Sequence, residues 1–248
     1  MTAVSPPRPF DVSAALVTLG FTATVSQVVL MRELVATFYG NELLYGLALL
    51  AWLVWTAVGS WGIARHAARM ARPQRVFAAG LAGSLPLLVL QLGVLRGVRQ
   101  LLGTTPGAFV EFGDTLLVTL LLPALFCPLA GSLFTLGVRL LVAAGGTAGQ
   151  AYVRESVGAV AGGLLVSLVF IHWLDSFQTV QLAGVLCLVA AWRVIRPARR
   201  DEGVGQARNL VRHGGLALPG LLLAVTVGGL LNATTLRWQW PDLAAAVD

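Results

Sequence analysis

The chain is 248 residues long, 57% of them hydrophobic and only 11% charged, which leaves too little polar surface to coat a water-soluble globule of this size. A formal charge of +6 would point to nucleic acid in a soluble protein, but in so apolar a chain it reports membrane topology first, and no nucleic-acid partner is expected. The two cysteines, Cys127 and Cys187, fall inside apolar stretches and read as small buried hydrophobes, not as a disulfide framework.

Seven stretches without a formal charge follow one another, at 12–31, 43–64, 76–95, 115–138, 156–174, 176–192 and 216–231. Each is long enough to cross a hydrocarbon core, or nearly so, with the last two at the lower limit. The expectation is an all-α, polytopic helical membrane bundle of about seven spans, with six or eight left open. It forms one domain over residues 1–248 and contains no soluble catalytic domain. The lipid bilayer is its first partner.

The first span has no small-residue cleavage site after it and reads as a signal anchor. Between it and the second span runs RELVATFYGNELLYG, Arg32 to Gly46, the densest polar chemistry near the membrane. Leu34, Val35 and Phe38 suggest a short interfacial helix, and Gly40 with Asn41 a turn. Gln27, Arg32, Glu33, Tyr39, Asn41 and Glu42 form the first candidate functional cluster. If Arg32, Glu33 and Glu42 are buried they need partners, and an ionic cluster of the three would supply them; otherwise they reach into the headgroups and set the depth of the span.

Trp52, Trp55 and Trp61 in the second span read as packing, with a cation cage as the alternative. In the fourth span Pro123 and Pro128 each remove a backbone donor, which kinks the helix and either lines a cavity or is only the proline common in membrane helices. Arg154 with Glu155, just before the fifth span, is a second candidate cluster. Gly158 and Gly162, with Gly163 beside them, have the spacing that lets two membrane helices approach closely. His172 stands near the outer interface with no second ligand at metal spacing, so no metal site is expected. Residues 193–213 read as a flexible loop, and Trp238 and Trp240 as an interfacial belt.

All 17 basic residues are arginine, a habit of GC-rich bacterial genomes, and the bacterial inner membrane is the expected location. Arg65, Arg69, Arg72 and Arg75 follow the second span, and a second cluster starts at Arg193, so both connections belong in the cytoplasm. With seven spans this puts the N-terminus inside and the C-terminus outside. Thirteen arginines then lie inside and four outside, and the outer face carries seven acidic residues. Spans one to three and four to six each set an acidic residue, Glu42 or Glu155, before a glycine-bearing middle helix. This admits an inverted three-helix repeat, as in many transporters.

The run from Gln27 to Gly62, Q-x-x-L-M-R-E-L-x-x-x-F-Y-G-N-E-L-x-x-G followed by W-L-x-W-x-A-x-G-S, resembles the membrane portion of bacterial membrane-integrated spermidine synthase-like proteins. The Y-x-x-E-x-x-G-x-x-x-G-G of the fifth span and the closing N-A-T-T-L-R-W-Q-W-P-D-L are similar to further parts of the same family. The resemblance implies a multi-span module joined to an aminopropyltransferase-type domain that binds decarboxylated S-adenosylmethionine and a diamine. No glycine-rich nucleotide loop stands in these residues, so the family's catalytic residues have no positions here, and no cofactor is expected in this chain.

Three functions follow as expectations. The first is a non-catalytic membrane module that anchors or regulates an aminopropyltransferase-type domain or partner. The second is a transporter or binding protein for a small cation such as a polyamine, drawn by an acidic outer face. The third is a structural subunit of a larger membrane complex.

Overall fold

The computed structural model describes residues 9–39, 42–67, 69–104, 108–196 and 226–236. Among these, six helical spans are long and apolar enough to cross a membrane. The first three are single helices, α1 (Pro9–Phe38), α2 (Glu42–Ala67) and α3 (Pro73–Leu101). The fourth span is α4 (Phe112–Leu121) and α5 (Cys127–Ala143), joined by a tighter 3-10 turn at Leu122–Leu125. The fifth is α6 (Ala148–Leu165), a π-turn at Val166–Phe170 and α7 (Ile171–Trp173), and the sixth is α8 (Ser176–Ile195). A last helix, α9, covers 226–236. Of the expected seventh span at 216–231, residues 216–225 lie outside the described residues, as do most of the 193–213 loop, Gly40, Asn41, Trp238 and Trp240.

Local chemistry explains where several helices begin. α3 starts on Pro73, whose missing N–H costs nothing in a first turn. α6 and α8 open with reciprocal capping boxes, Thr147 with Gln150 and Asp175 with Gln178. Burial pushes the Asp175 carboxyl above its ordinary 3.8, while the Gln178 backbone N–H and nearby Arg96 act the other way. The expected break at Pro123 and Pro128 is present as the 3-10 turn. Pro123 has no N–H to offer the preceding turn, and the Trp55 indole donates to the Leu120 carbonyl there at 2.8 Å. Trp52 packs against Phe126 with ring centroids 6.2 Å apart, so these two tryptophans brace the break.

Two boundaries differ from the sequence expectation. Arg32 to Phe38 is not a separate interfacial helix but the last two turns of α1. Arg154 and Glu155 do not precede the fifth span but lie inside α6, which begins at Ala148. Both differences have one cause: charge-free windows stop at the first ionised residue, whereas a helix continues wherever that residue has a partner or reaches the headgroups.

The spans of the first half pack mainly on those of the second: α1 on α6, α2 on α5, and α3 on α8. The first two crossings are built alike. A Cβ on Gly20 would run into the Glu155 carbonyl, and one on Gly158 into the Val17 carbonyl. Likewise a Cβ on Gly59 would strike the Pro128 carbonyl, and one on Gly131 the Thr56 carbonyl. In all four cases the obstacle is the carbonyl three residues before the partner glycine. The α3–α8 contact completes the pattern, with Gly184 pressed against Leu85. Exchanging spans one to three for four to six therefore maps the first crossing onto the second and the third onto itself. What relates the halves is glycine, not the acidic residues: Glu42 begins α2 whereas Glu155 stands inside α6 one turn from the crossing, so the two are not equivalent.

α1 and α8 are the most enclosed, with half of the residues in their apolar windows buried, against 17% for the fifth span. Charge divides the two ends. Eight of the described arginines, from Arg65 to Arg75 and at Arg139, Arg154, Arg193 and Arg196, share one end with Asp11 and Glu155. The other end holds Arg32, Arg96 and Arg99 with Glu33, Glu42, Glu111, Asp114 and Asp175.

Candidate functional site

Thirteen polar or charged side chains are buried among the described residues, and twelve of them belong to α1, α3, α8 and α9. Thr119 in α4 is the exception. The twelve form a seam that starts with Thr22 and Ser84 deep in the bundle and ends with Thr37 and Arg99 at the acidic end. In the inner part Thr22 contacts the Cys187 sulfur at 3.2 Å and its hydroxyl donates to the Ala183 carbonyl. The middle holds two amides, Gln91 and Gln181, whose side-chain carbonyl oxygens have no hydrogen-bond partner.

The outer part is ionic. Glu33 on α1 and Arg96 on α3 are 6% and 4% exposed, so neither is solvated by water. Arg96 donates through Nε to Glu33 Oε2 at 3.0 Å and through Nη2 to Oε1 at 2.8 Å, a two-pronged pair. The Ser176 hydroxyl, at the first residue of α8, donates to the same Glu33 Oε1. The third arm of the guanidinium reaches α9, where Nη1 donates to Asn232 Oδ1 and to Thr235 Oγ1 at 3.1 Å. Phe177 closes one side, its ring 5.0 Å from the guanidinium carbon. A single arginine thus joins α1, α3, α8 and α9.

One turn further out, Arg99 is also buried. It donates to the Thr37 carbonyl at 3.0 Å and the Ala108 carbonyl at 2.8 Å, and lies 5.2 Å over the Tyr39 ring. Thr37 and Tyr39 end α1, and Tyr39 takes φ +51°, a left-handed conformation that turns the chain out of the helix. Tyr39 meets Phe109 edge to face at 5.6 Å. Arg99 thereby clasps the α1 terminus to the strand of chain that leads into α4.

The first expected cluster comes apart. Glu33 enters the site, but its partner is Arg96 of another span and not Arg32 or Glu42. Arg32 is exposed and lines a void of about 20 Å³ with Val28, Val29, Ser176 and Thr179, room for about one water. Glu42 is exposed at the start of α2, and Gln27 is half-buried one and a half turns before Glu33. The helical period separates them: Arg32 and Glu33 are adjacent and so point about 100° apart. Tyr39 belongs to the Arg99 clasp, and Asn41 is outside the described residues. In the second cluster Arg154 is exposed and Glu155 half-buried, and no hydrogen bond or ion pair joins them. Gly158 and Gly162 do form a packing face, against Val17 and Phe21, whereas a Cβ added to Gly163 would meet only the Thr24 methyl, at 3.6 Å.

Sequence reasoning passed over Arg96 and Arg99 because they bounded the third charge-free window. A signal was present: they are two of the four arginines assigned to the outer side, three residues apart on one helical face. Ser176, Asn232 and Thr235 carried no such signal, since hydroxyls and amides are ordinary at span ends.

Comparison with family models, with curated proteins and with solved structures finds no match for this chain.

Proposed function

We propose that this chain is the membrane-embedded, non-catalytic module of a spermidine synthase-like protein, anchoring or regulating an aminopropyltransferase-type domain or partner at the acidic end of the bundle. The observation that supports this reading is the four-helix junction at Arg96. A buried ion pair in a membrane is costly to build and weak evidence for stability; its use here is positional, because the third arm of Arg96 fastens α9 to the bundle. Whatever follows or docks on α9 is then held at a set angle to the first three spans. The transferase identity of that partner rests on the sequence resemblance alone, carried by residues 27–62, the fifth span and the closing N-A-T-T-L-R-W-Q-W-P-D-L.

The test is purification from native membranes, with mass spectrometry of the intact chain and of co-purifying proteins, and an aminopropyl-transfer assay on the product. A covalently continuous transferase domain, or a separate transferase held tightly and released when Arg96→Ala and Asn232→Ala are combined, is the expected result. A chain that purifies with no such partner and no such activity would overturn it.

A second reading, transport or binding of a small cation such as a polyamine, is favoured by the unpartnered carbonyls of Gln91 and Gln181 in the seam and by the matched glycine crossings of the two halves. It gains nothing from Glu33, whose two oxygens are already engaged. Spermidine uptake into proteoliposomes no greater than into empty vesicles would remove it.

A further inference from the structure

At the arginine-rich end, away from the seam, α1 and α6 separate below their glycine crossing and leave a cavity of about 740 Å³. Its third wall is the end of α5 with the turn after it, Leu141 to Gly146. The two helices touch backbone to backbone at Gly20 and Gly158, so their divergence over the first two turns of α1 opens a wedge. One side of the wedge is Phe10, Ser13 and Val17; the other is Gln150 and Arg154, which share a face of α6 at four-residue spacing.

The chemistry of this wedge is lopsided. Among the described residues Arg154 has no ion pair or hydrogen bond, and none of those lining the wedge is a carboxylate. Gln150 spends its side-chain oxygen on the Thr147 N–H in the capping box, which leaves its NH₂ without a bond. A guanidinium and an amide NH₂ are donors only, and with Ser13 they suit an anion with several acceptor oxygens. The remaining wall, Pro9, Phe10, Ala14, Val17 and Leu141, is apolar. The wedge also lies where α1 and α6 start and α5 ends, the depth at which lipid phosphates meet a bundle.

We propose that this wedge is a binding site for an anionic phospholipid, with its phosphodiester on Arg154, Gln150 and Ser13 and an acyl chain along Phe10 and Val17. Among the described residues eight arginines crowd this end against two carboxylates, so the surrounding field draws the same lipids. The site is independent of the Arg96 junction and of the function proposed above.

The test uses the full chain, delipidated in detergent and mixed with phosphatidylglycerol, cardiolipin or phosphatidylcholine, with retained lipid counted by native mass spectrometry. Anionic lipid retained over phosphatidylcholine, and reduced roughly five-fold by Arg154→Gln, is the expected result. Ser13→Trp, which fills the wedge and keeps the cation, should reduce it as well, whereas Arg139→Gln, on an exposed arginine at the same end, should not. Equal retention of neutral and anionic lipid, or full retention by both Arg154→Gln and Ser13→Trp, would overturn the proposal. Displacement by millimolar inorganic phosphate would overturn it too, reassigning the wedge to a soluble phosphate anion.

Discussion

At the crossing of α1 with α6 the helices are held by fit: Gly20 and Gly158 let two backbones touch, and no side-chain hydrogen bond passes between them. Along the seam of α1, α3 and α8 the helices are held by polar groups that have no water to fall back on. In a bilayer, where lipid tails are as apolar as leucine, these are the two available sources of helix association. They differ in what a substitution does. A glycine crossing fails when an atom is added, whereas the seam fails when one partner is removed and recovers when both are.

That asymmetry sets the largest expected effect. Arg96→Ala strands a buried carboxylate and should cost about 3 to 5 kcal/mol in unfolding free energy measured in detergent or bicelles. The double change Glu33→Met with Arg96→Met removes both charges and should return stability to near or above the parent. A double variant as unstable as the single one would break the distinction between the two kinds of contact.

Next come the crossings. Gly158→Ala and Gly59→Ala each place a methyl on a backbone carbonyl of the neighbouring helix, and about 1 to 3 kcal/mol or more of destabilisation is expected, read by the same unfolding curves. Equal losses at the two positions would sharpen the equivalence of the two halves. Gly163→Ala, with only a methyl at ordinary contact distance, serves as the neutral control in the same motif.

Smaller again is Glu42→Gln. Its exposure places it within about 0.5 kcal/mol of the parent, and a larger loss would restore the ionic cluster that the helical period dissolves. The smallest effect concerns pH. Because burial raises the Asp175 carboxyl above its unfolded value, the folded state holds that proton more tightly. Its contribution is therefore full below the unfolded value near 3.8 and declines as pH rises through the folded one. Asp175→Asn keeps an N-capping side chain and should flatten that part of the stability profile measured from pH 3 to pH 7.

Six spans were legible because each is a run of apolar residues between charges, and hydropathy depends on nothing distant. Their ends were not, because Glu33, Arg96 and Arg99 are ionised residues that the bundle takes inside, and only a partner from another span makes that tolerable. The pairing of Glu33 with Arg96 joins positions far apart in the chain, which adjacency cannot reveal. The glycines were half legible: Gly158 and Gly162 stood out by spacing, whereas Gly20, Gly59 and Gly131 are single glycines whose role appears only once a neighbouring carbonyl lies against them.

Because α1 rests on α6 and α8, and α2 on α5, each half of the molecule finds its main contacts in the other. During synthesis the first three spans enter the bilayer with few mutual contacts and must wait, for roughly several seconds at ordinary elongation rates, until their counterparts emerge. Over that interval Glu33 has only Arg96 to answer it, since Ser176 and α9 do not yet exist. The ion pair is thus available before the fold is, and a chain cut between α3 and α4 should yield two pieces that persist only when made together.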